Sequence, residues 1–291
     1  MIRLVKPIPN RTFQLTHTSS FGALQNSLQT TRSEADDDSQ YSLLKIITIW
    51  GVVSLPMPVL IFLIAPMLAS VPGIHPGLLI WYMGISGMVW QFLVSMFLLW
   101  RELDDFTWSA IKARIWLNKP SDPKTGNKSY KFYLWLIPAF FFVLLIEVSP
   151  LGGLFDQILL TVFPALDELE TDMKSLFVPE LVGAWWLFGV AIINNVFNYF
   201  LGEELLFRGI LLPKMRGAFG KWDWVANAAL FGLYHLDKPQ NIIKISVSAL
   251  AYTWTSKRYK SIWFAIILHG VEMIFVFGGV YMIASGLGLE A

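Results

Sequence analysis

The chain has 291 residues, of which 55% are hydrophobic and 15% charged, with a net charge of +1 and a mean hydropathy of +0.54. That balance excludes an ordinary water-soluble domain and gives no basic field for nucleic acid, so no nucleic-acid partner is expected. With no cysteine, disulfides, thiolate catalysis and Cys-based metal centres are excluded as well.

Residues 1–41 are polar and end in the acidic run Glu34 to Asp38. The composition predicts a disordered cytoplasmic tail without a cleavable secretory signal. The Arg-bearing, Ser/Thr-rich stretch before Glu34 also suits an organellar transit peptide.

Residues 42–291 read as one transmembrane helical domain. Apolar stretches occur near 43–69, 78–100, 132–148, 181–212, 223–237, 241–256 and 261–285, several of them near the ~20 residues a helix needs to cross the hydrocarbon. The expectation is an all-α polytopic membrane protein of about seven helices, with an eighth allowed. Pro56, Pro58 and Pro66 predict kinks in the first of them.

The loops set an orientation. Residues 101–131 carry Arg101, Lys112, Arg114, Lys119, Lys124, Lys128 and Lys131, while residues 149–180 carry six acids against Lys174. The positive-inside rule puts the first loop in the cytoplasm, together with the N-terminus and the basic residues after the fourth and sixth stretches.

Ionisable residues then stand where a bilayer makes them costly. Glu203, Glu204 and Arg208 sit in a hydrophobic helix about eleven residues, or ~16 Å, from the basic flank at Lys214. Each charge near the centre costs roughly 2.5 to 3.5 kcal/mol, so these groups must face partners inside the bundle. Glu204 and Arg208, at i and i+4, are expected to pair, which leaves Glu203 to face something else. His235 ends a run in which Asn227, Phe231 and His235 recur every four residues, and His269 lies about eight residues into the last stretch with Glu272 close behind.

A carboxylate and a His can polarise a water for acyl-bond hydrolysis while a second His stabilises the oxyanion. The same residues could instead hold zinc as a His2Glu site, but no HExxH is present and no cofactor is expected. Asn194, Asn195, Asn198, Ser246 and Ser248 read as interhelical hydrogen-bonding residues.

Glu-Glu-x-x-x-Arg at 203–208, Phe-x-x-x-His at 231–235 and Leu-His-Gly at 268–270, with Ser-Ile-Trp-Phe-Ala-Ile-Ile-Leu-His at 261–269, resemble the ordered motifs of the CAAX-protease and bacteriocin-processing (CPBP, or Abi) family. The resemblance places its core at about 180–285. It implies an intramembrane glutamate-type endopeptidase, long described as a metalloprotease, whose members include type II CAAX prenyl endopeptidases. Glu203 with His235 would activate the water, Glu204 with Arg208 would hold the helix, and His269 would serve the oxyanion site. The three groups Glu203, His235 and His269 should then converge on one cavity. Expected partners are membrane lipid and a peptide or lipidated protein substrate; the expected location is a bacterial cell membrane, or an organellar one if the tail is a transit peptide.

Met273 departs from the family pattern, which has Asn or a similar polar residue four positions after the His. Either Glu272, Asn227 or a water substitutes, or the protein is impaired or inactive as a protease. The competing readings are a non-catalytic family member acting as an immunity or scaffold protein, and a proton-coupled transporter, since intramembrane Glu and His also mark ion pathways.

Overall fold

The computed structural model describes residues 40–69, 73, 75–168, 173–287 and 289. The expectations for the tail, disorder or transit peptide, concern residues 1–41, of which 1–39 lie outside the described residues; Tyr41 is buried at the start of the helical domain.

Four helices are long and apolar enough to cross a membrane: α1 (Leu43–Ala69), α2 (Pro76–Glu102), α4 (Tyr130–Glu147) and α9 (Trp263–Ser285). Between them in sequence lie α3 (Trp108–Arg114), α5 (Pro150–Val162), the irregular helix α6 (187–214), α7 (Asp223–Tyr234) and α8 (Ile242–Tyr259). No named strand occurs among the described residues, so the fold is all-α and polytopic.

The long helices turn their apolar side chains outward. Leu63 and Met67 on α1, Phe97 on α2, Phe141 on α4 and Ile274 on α9 are all exposed, as expected where lipid is the solvent. By contrast, every residue from Leu205 to Leu212 is buried by protein. The second half of α6 and the buried faces of α7 and α8 therefore form the interior, and these stretches are freed from the demands of a lipid-facing span. This is why they fall short of the four spans by length or hydropathy: α7 has 12 residues, ~18 Å of helix, and α8 carries Lys244, Lys257 and Arg258.

The ends of the helices are sewn together in a consistent way. Tyr41 N donates to Lys214 O at 2.9 Å, Ile262 N to Trp116 O at 2.9 Å and Ser121 N to Tyr259 O at 2.9 Å. Arg114 on α3 bonds Glu102 at 2.9 Å and reaches the Gly209 and Ile210 carbonyls at 3.1 and 3.2 Å. The start of α1, the ends of α2, α6 and α8, and the start of α9 thus gather at one end, where the basic connections also lie. At the other end Gly183 N donates to Ala284 O at 2.8 Å, joining the entrance of α6 to the exit of α9. Segments α1, α2, α4, α6, α7, α8 and α9 run alternately between these two ends.

Two local features of the helices have identifiable causes. The prolines of α1 do not break it; a turn at Leu55 and a π-helical stretch, Leu60–Ile64, absorb the lost hydrogen bonds while the helix continues. Within 149–180, which reads as a loop, Ser149 caps the amphipathic helix α5 with its hydroxyl on Leu151 N, and Asp156 of α5 pairs with Lys244 of α8 at 2.7 Å.

Candidate active site

Helix α6 carries the carboxylates and is irregular around them. Its α-helical entry, Leu187–Val196, passes into a π-helical stretch, Phe197–Leu201, and a second follows at Leu205–Leu211. The first closes with Gly202 N donating to Phe197 O at 2.6 Å, a bond from i+5 to i. Gly202 is needed there, since a Cβ would stand 2.6 Å from Phe197 O and 3.1 Å from Met88 O of α2. The contact lets α2 and α6 approach backbone to backbone beside Glu203.

Glu204 and Arg208 are fully buried and pair as expected, Nη1 to Oε1 at 3.1 Å. Arg208 also reaches Thr253 Oγ1 of α8 at 3.4 Å, and its guanidinium carbon lies 4.0 Å from the Phe231 ring centre and 5.0 Å from that of Tyr252. Two aromatic faces and an ion pair thus replace the water that such a charge would otherwise hold.

His269 faces the protein interior, not lipid. Its Nδ1 lies 2.8 Å from Glu204 Oε1, and its Nε2 lies 3.9 Å from Glu203 Oε2 and 3.8 Å from Glu272 Oε2. An ionised carboxylate only accepts, so Nδ1 carries the proton and Nε2 is the nitrogen turned toward Glu203 and Glu272. The ring is stacked on Tyr252, interplanar angle 5°, and meets Tyr199 edge-on at 4.8 Å.

His235 comes from the end of α7. The sequence reading carries the fifth stretch to residue 237, but the helix stops at Tyr234, and His235 caps it with φ −76° and ψ 52°. Its Nδ1 lies 2.9 Å from Phe231 O and so donates to that carbonyl, leaving Nε2 as the imidazole's acceptor. Gly232 lets α7 reach α8 here, since a Cβ would stand 2.7 Å from Ile242 O and collide with Ser246 Oγ. Asn227, two turns away, is engaged elsewhere: it donates to Phe207 O at 2.8 Å.

Glu203 and His235 line one cavity of about 680 Å³. Its polar lining includes Asn198, Tyr234, Lys238 and Glu272, and its apolar wall comes from Met57 and Ile61 of α1 and Met88 of α2, among others. The expected convergence is therefore met by two of the three groups, while His269 stands behind Glu203 rather than on the cavity surface. The Asn198 amide, its orientation assigned from its neighbours, donates to Glu203 Oε1 at 3.0 Å and Oε2 at 3.1 Å. The Tyr234 hydroxyl also faces Glu203.

Asn198, which reads from sequence as an interhelical residue, and Tyr234, which carries no sequence motif, are thus additions to the site. Lys238 is another; its place three residues after His235 is the one available signal. Met273 is 37% exposed on the outer surface. The turn at 271–272 interrupts α9 and presents Glu272, not Met273, to the cavity. Of the substitutes considered for the missing polar residue, Glu272 has the right place and Asn227 does not.

Among the described residues no three His, Asp or Glu side chains form a group that could hold a metal ion. The fold and this cluster together define a helical membrane protein with a buried Glu/Arg/His network set against a cavity. Residues 182–275, about a third of the chain, match the family model described as type II CAAX prenyl endopeptidase Rce1-like. That segment holds Glu203, Glu204, Arg208, His235 and His269. No curated protein and no solved structure matches the chain.

Proposed function

We propose that the chain is an intramembrane endopeptidase acting on membrane-associated peptides, prenylated CAAX-type tails among them. The observation that carries the reading is that Glu203 and His235, both within the segment that matches the prenyl endopeptidase family, come from two helices to line a single cavity.

In this reading a water held between Glu203 and His235 loses a proton to the carboxylate as its oxygen adds to the scissile carbonyl carbon. The carbonyl oxygen takes the negative charge and draws on donors in the cavity, with His269 supporting Glu203 from behind. Collapse of the adduct breaks the C–N bond, and the departing amine takes the proton from Glu203. The products are a new carboxyl terminus and a released peptide. Glu204 and Arg208 keep their structural roles, holding α6 and the tautomer of His269. The apolar wall from α1 and α2 suits a lipidated or transmembrane substrate segment.

No metal enters this scheme. The protein would reside in a bacterial cell membrane, or in an organellar one if residues 1–41 act as a transit peptide.

The test is cleavage of prenylated and unprenylated peptides by the purified protein. Wild type should release a C-terminal fragment, and Glu203→Gln should lose at least about a thousandfold in rate. Equal turnover by Glu203→Gln would refute the assignment.

A further inference from the structure

We infer that Asn198 is a positioning residue for the proposed peptidase, a carboxamide clamp that fixes both oxygens of Glu203. The inference rests on the peptidase reading for its consequence, but its geometry stands apart from it.

Glu203 has three side-chain torsions and borders a cavity of about 680 Å³, so nothing in its own structure aims a lone pair at a water. His269 Nε2, at 3.9 Å, is beyond hydrogen-bond reach. The Tyr234 hydroxyl faces the carboxylate as well, but the group that touches both of its oxygens is the Asn198 amide, at 3.0 and 3.1 Å. A single amide group touching both oxygens restrains rotation about the last torsion as well as position. Asn198 can do this because it lies on the π-helical stretch Phe197–Leu201, which with the turn at Gly202 brings Glu203 nearer to its face than a regular α-helix would. It also lines the cavity itself, so the clamp and the carboxylate share one wall.

Three variants read the clamp. Asn198→Ala removes the donor; kcat should fall by about ten- to a hundredfold, as expected for a reacting group displaced by an ångström or less, with KM within about twofold of wild type. Asn198→Asp keeps the shape but offers an acceptor to an acceptor, and should fall at least as far. Asn198→Gln retains the amide and should recover part of the rate.

An infrared readout is independent of turnover. The carboxylate stretch of Glu203, isolated as the difference between wild type and Glu203→Gln, should shift in Asn198→Ala. A shifted band in a protein that cleaves no peptide would uphold the clamp and defeat the peptidase reading. An unmoved band, or wild-type kcat in both Asn198→Ala and Asn198→Asp, would overturn the clamp whether or not the protein is a peptidase.

Discussion

Glu204 and His269, 65 residues apart in sequence, meet Oε1 to Nδ1 at 2.8 Å, and the same oxygen accepts Arg208 at 3.1 Å. One carboxylate oxygen therefore joins the charge that anchors α6 to the imidazole that backs Glu203. Removing the guanidinium would leave that carboxylate buried without its counter-ion. Arg208→Ala should cost roughly 3 to 5 kcal/mol and give poor accumulation, and Arg208→Lys should not restore it, because a lysine cannot also span Thr253 and two rings. Thermal melting in detergent checks this; a wild-type melt for Arg208→Ala would rule out the pair as a structural element.

Gly232 offers a steric test of the α7–α8 contact. The Cβ of Gly232→Ala would meet the backbone oxygen of Ile242 at 2.7 Å, and a backbone atom cannot swing aside. The two helices must part, at a cost of about 1 to 3 kcal/mol, and His235 would move with the end of α7. Shortening the neighbour by Ser246→Ala should recover only part of the loss, since the Ile242 clash remains. Melting and cleavage measured on the single and double variants decide it.

Position 273 separates two accounts of the third motif. Because Met273 faces outward, Met273→Asn should leave the cleavage rate within about twofold. Glu272→Gln, altering a cavity-lining carboxylate 3.8 Å from His269, should change it more. A large gain from Met273→Asn would show that the turn at 271–272 rearranges in the working enzyme.

Cysteine scanning is clean in a cysteine-free chain. Single cysteines at Lys124 and Lys260 should label from one side of the membrane, and cysteines at Gly153 and Gln240 from the other. Labelling of all four from one side would contradict the alternating helices.

Much of the fold was legible in sequence because lipid-facing helices must be apolar over their whole length, as α1, α2, α4 and α9 are. The interior was less so: the second half of α6 and the inner faces of α7 and α8 are shielded by protein, and neither length nor hydropathy is held to the bilayer there. The pairing of Glu204 with Arg208 could be read from i, i+4 spacing, since that spacing survives in the π-helical turn. Asn198 could not, because five residues of regular α-helix turn through about 500°, leaving it some 140° from Glu203; only the π stretch and the turn at Gly202 bring them together. The capping role of His235 was hidden for a similar reason, as nothing in Phe-x-x-x-His says that the helix ends one residue before the imidazole. The turn that takes Met273 off the cavity is equally silent in an apolar run.

The cavity also has a direction. Gly77 at the start of α2, Glu147 at the end of α4 and Lys238 just beyond α7 line it, and all three belong to the end of the bundle opposite the basic connections. Two expectations drawn from the sequence therefore compete. If residues 101–131 face the cytoplasm, the cavity faces away from it, and a tail prenylated in the cytosol would meet the wrong side of the bilayer; the substrates would then be peptides presented at the outer face or in an organelle lumen. If the basic loops are outside, a cytosolic tail has direct entry. The compartment that supplies the substrate is thus set by the insertion of the whole bundle, and a single impermeant label on Lys260→Cys reports it.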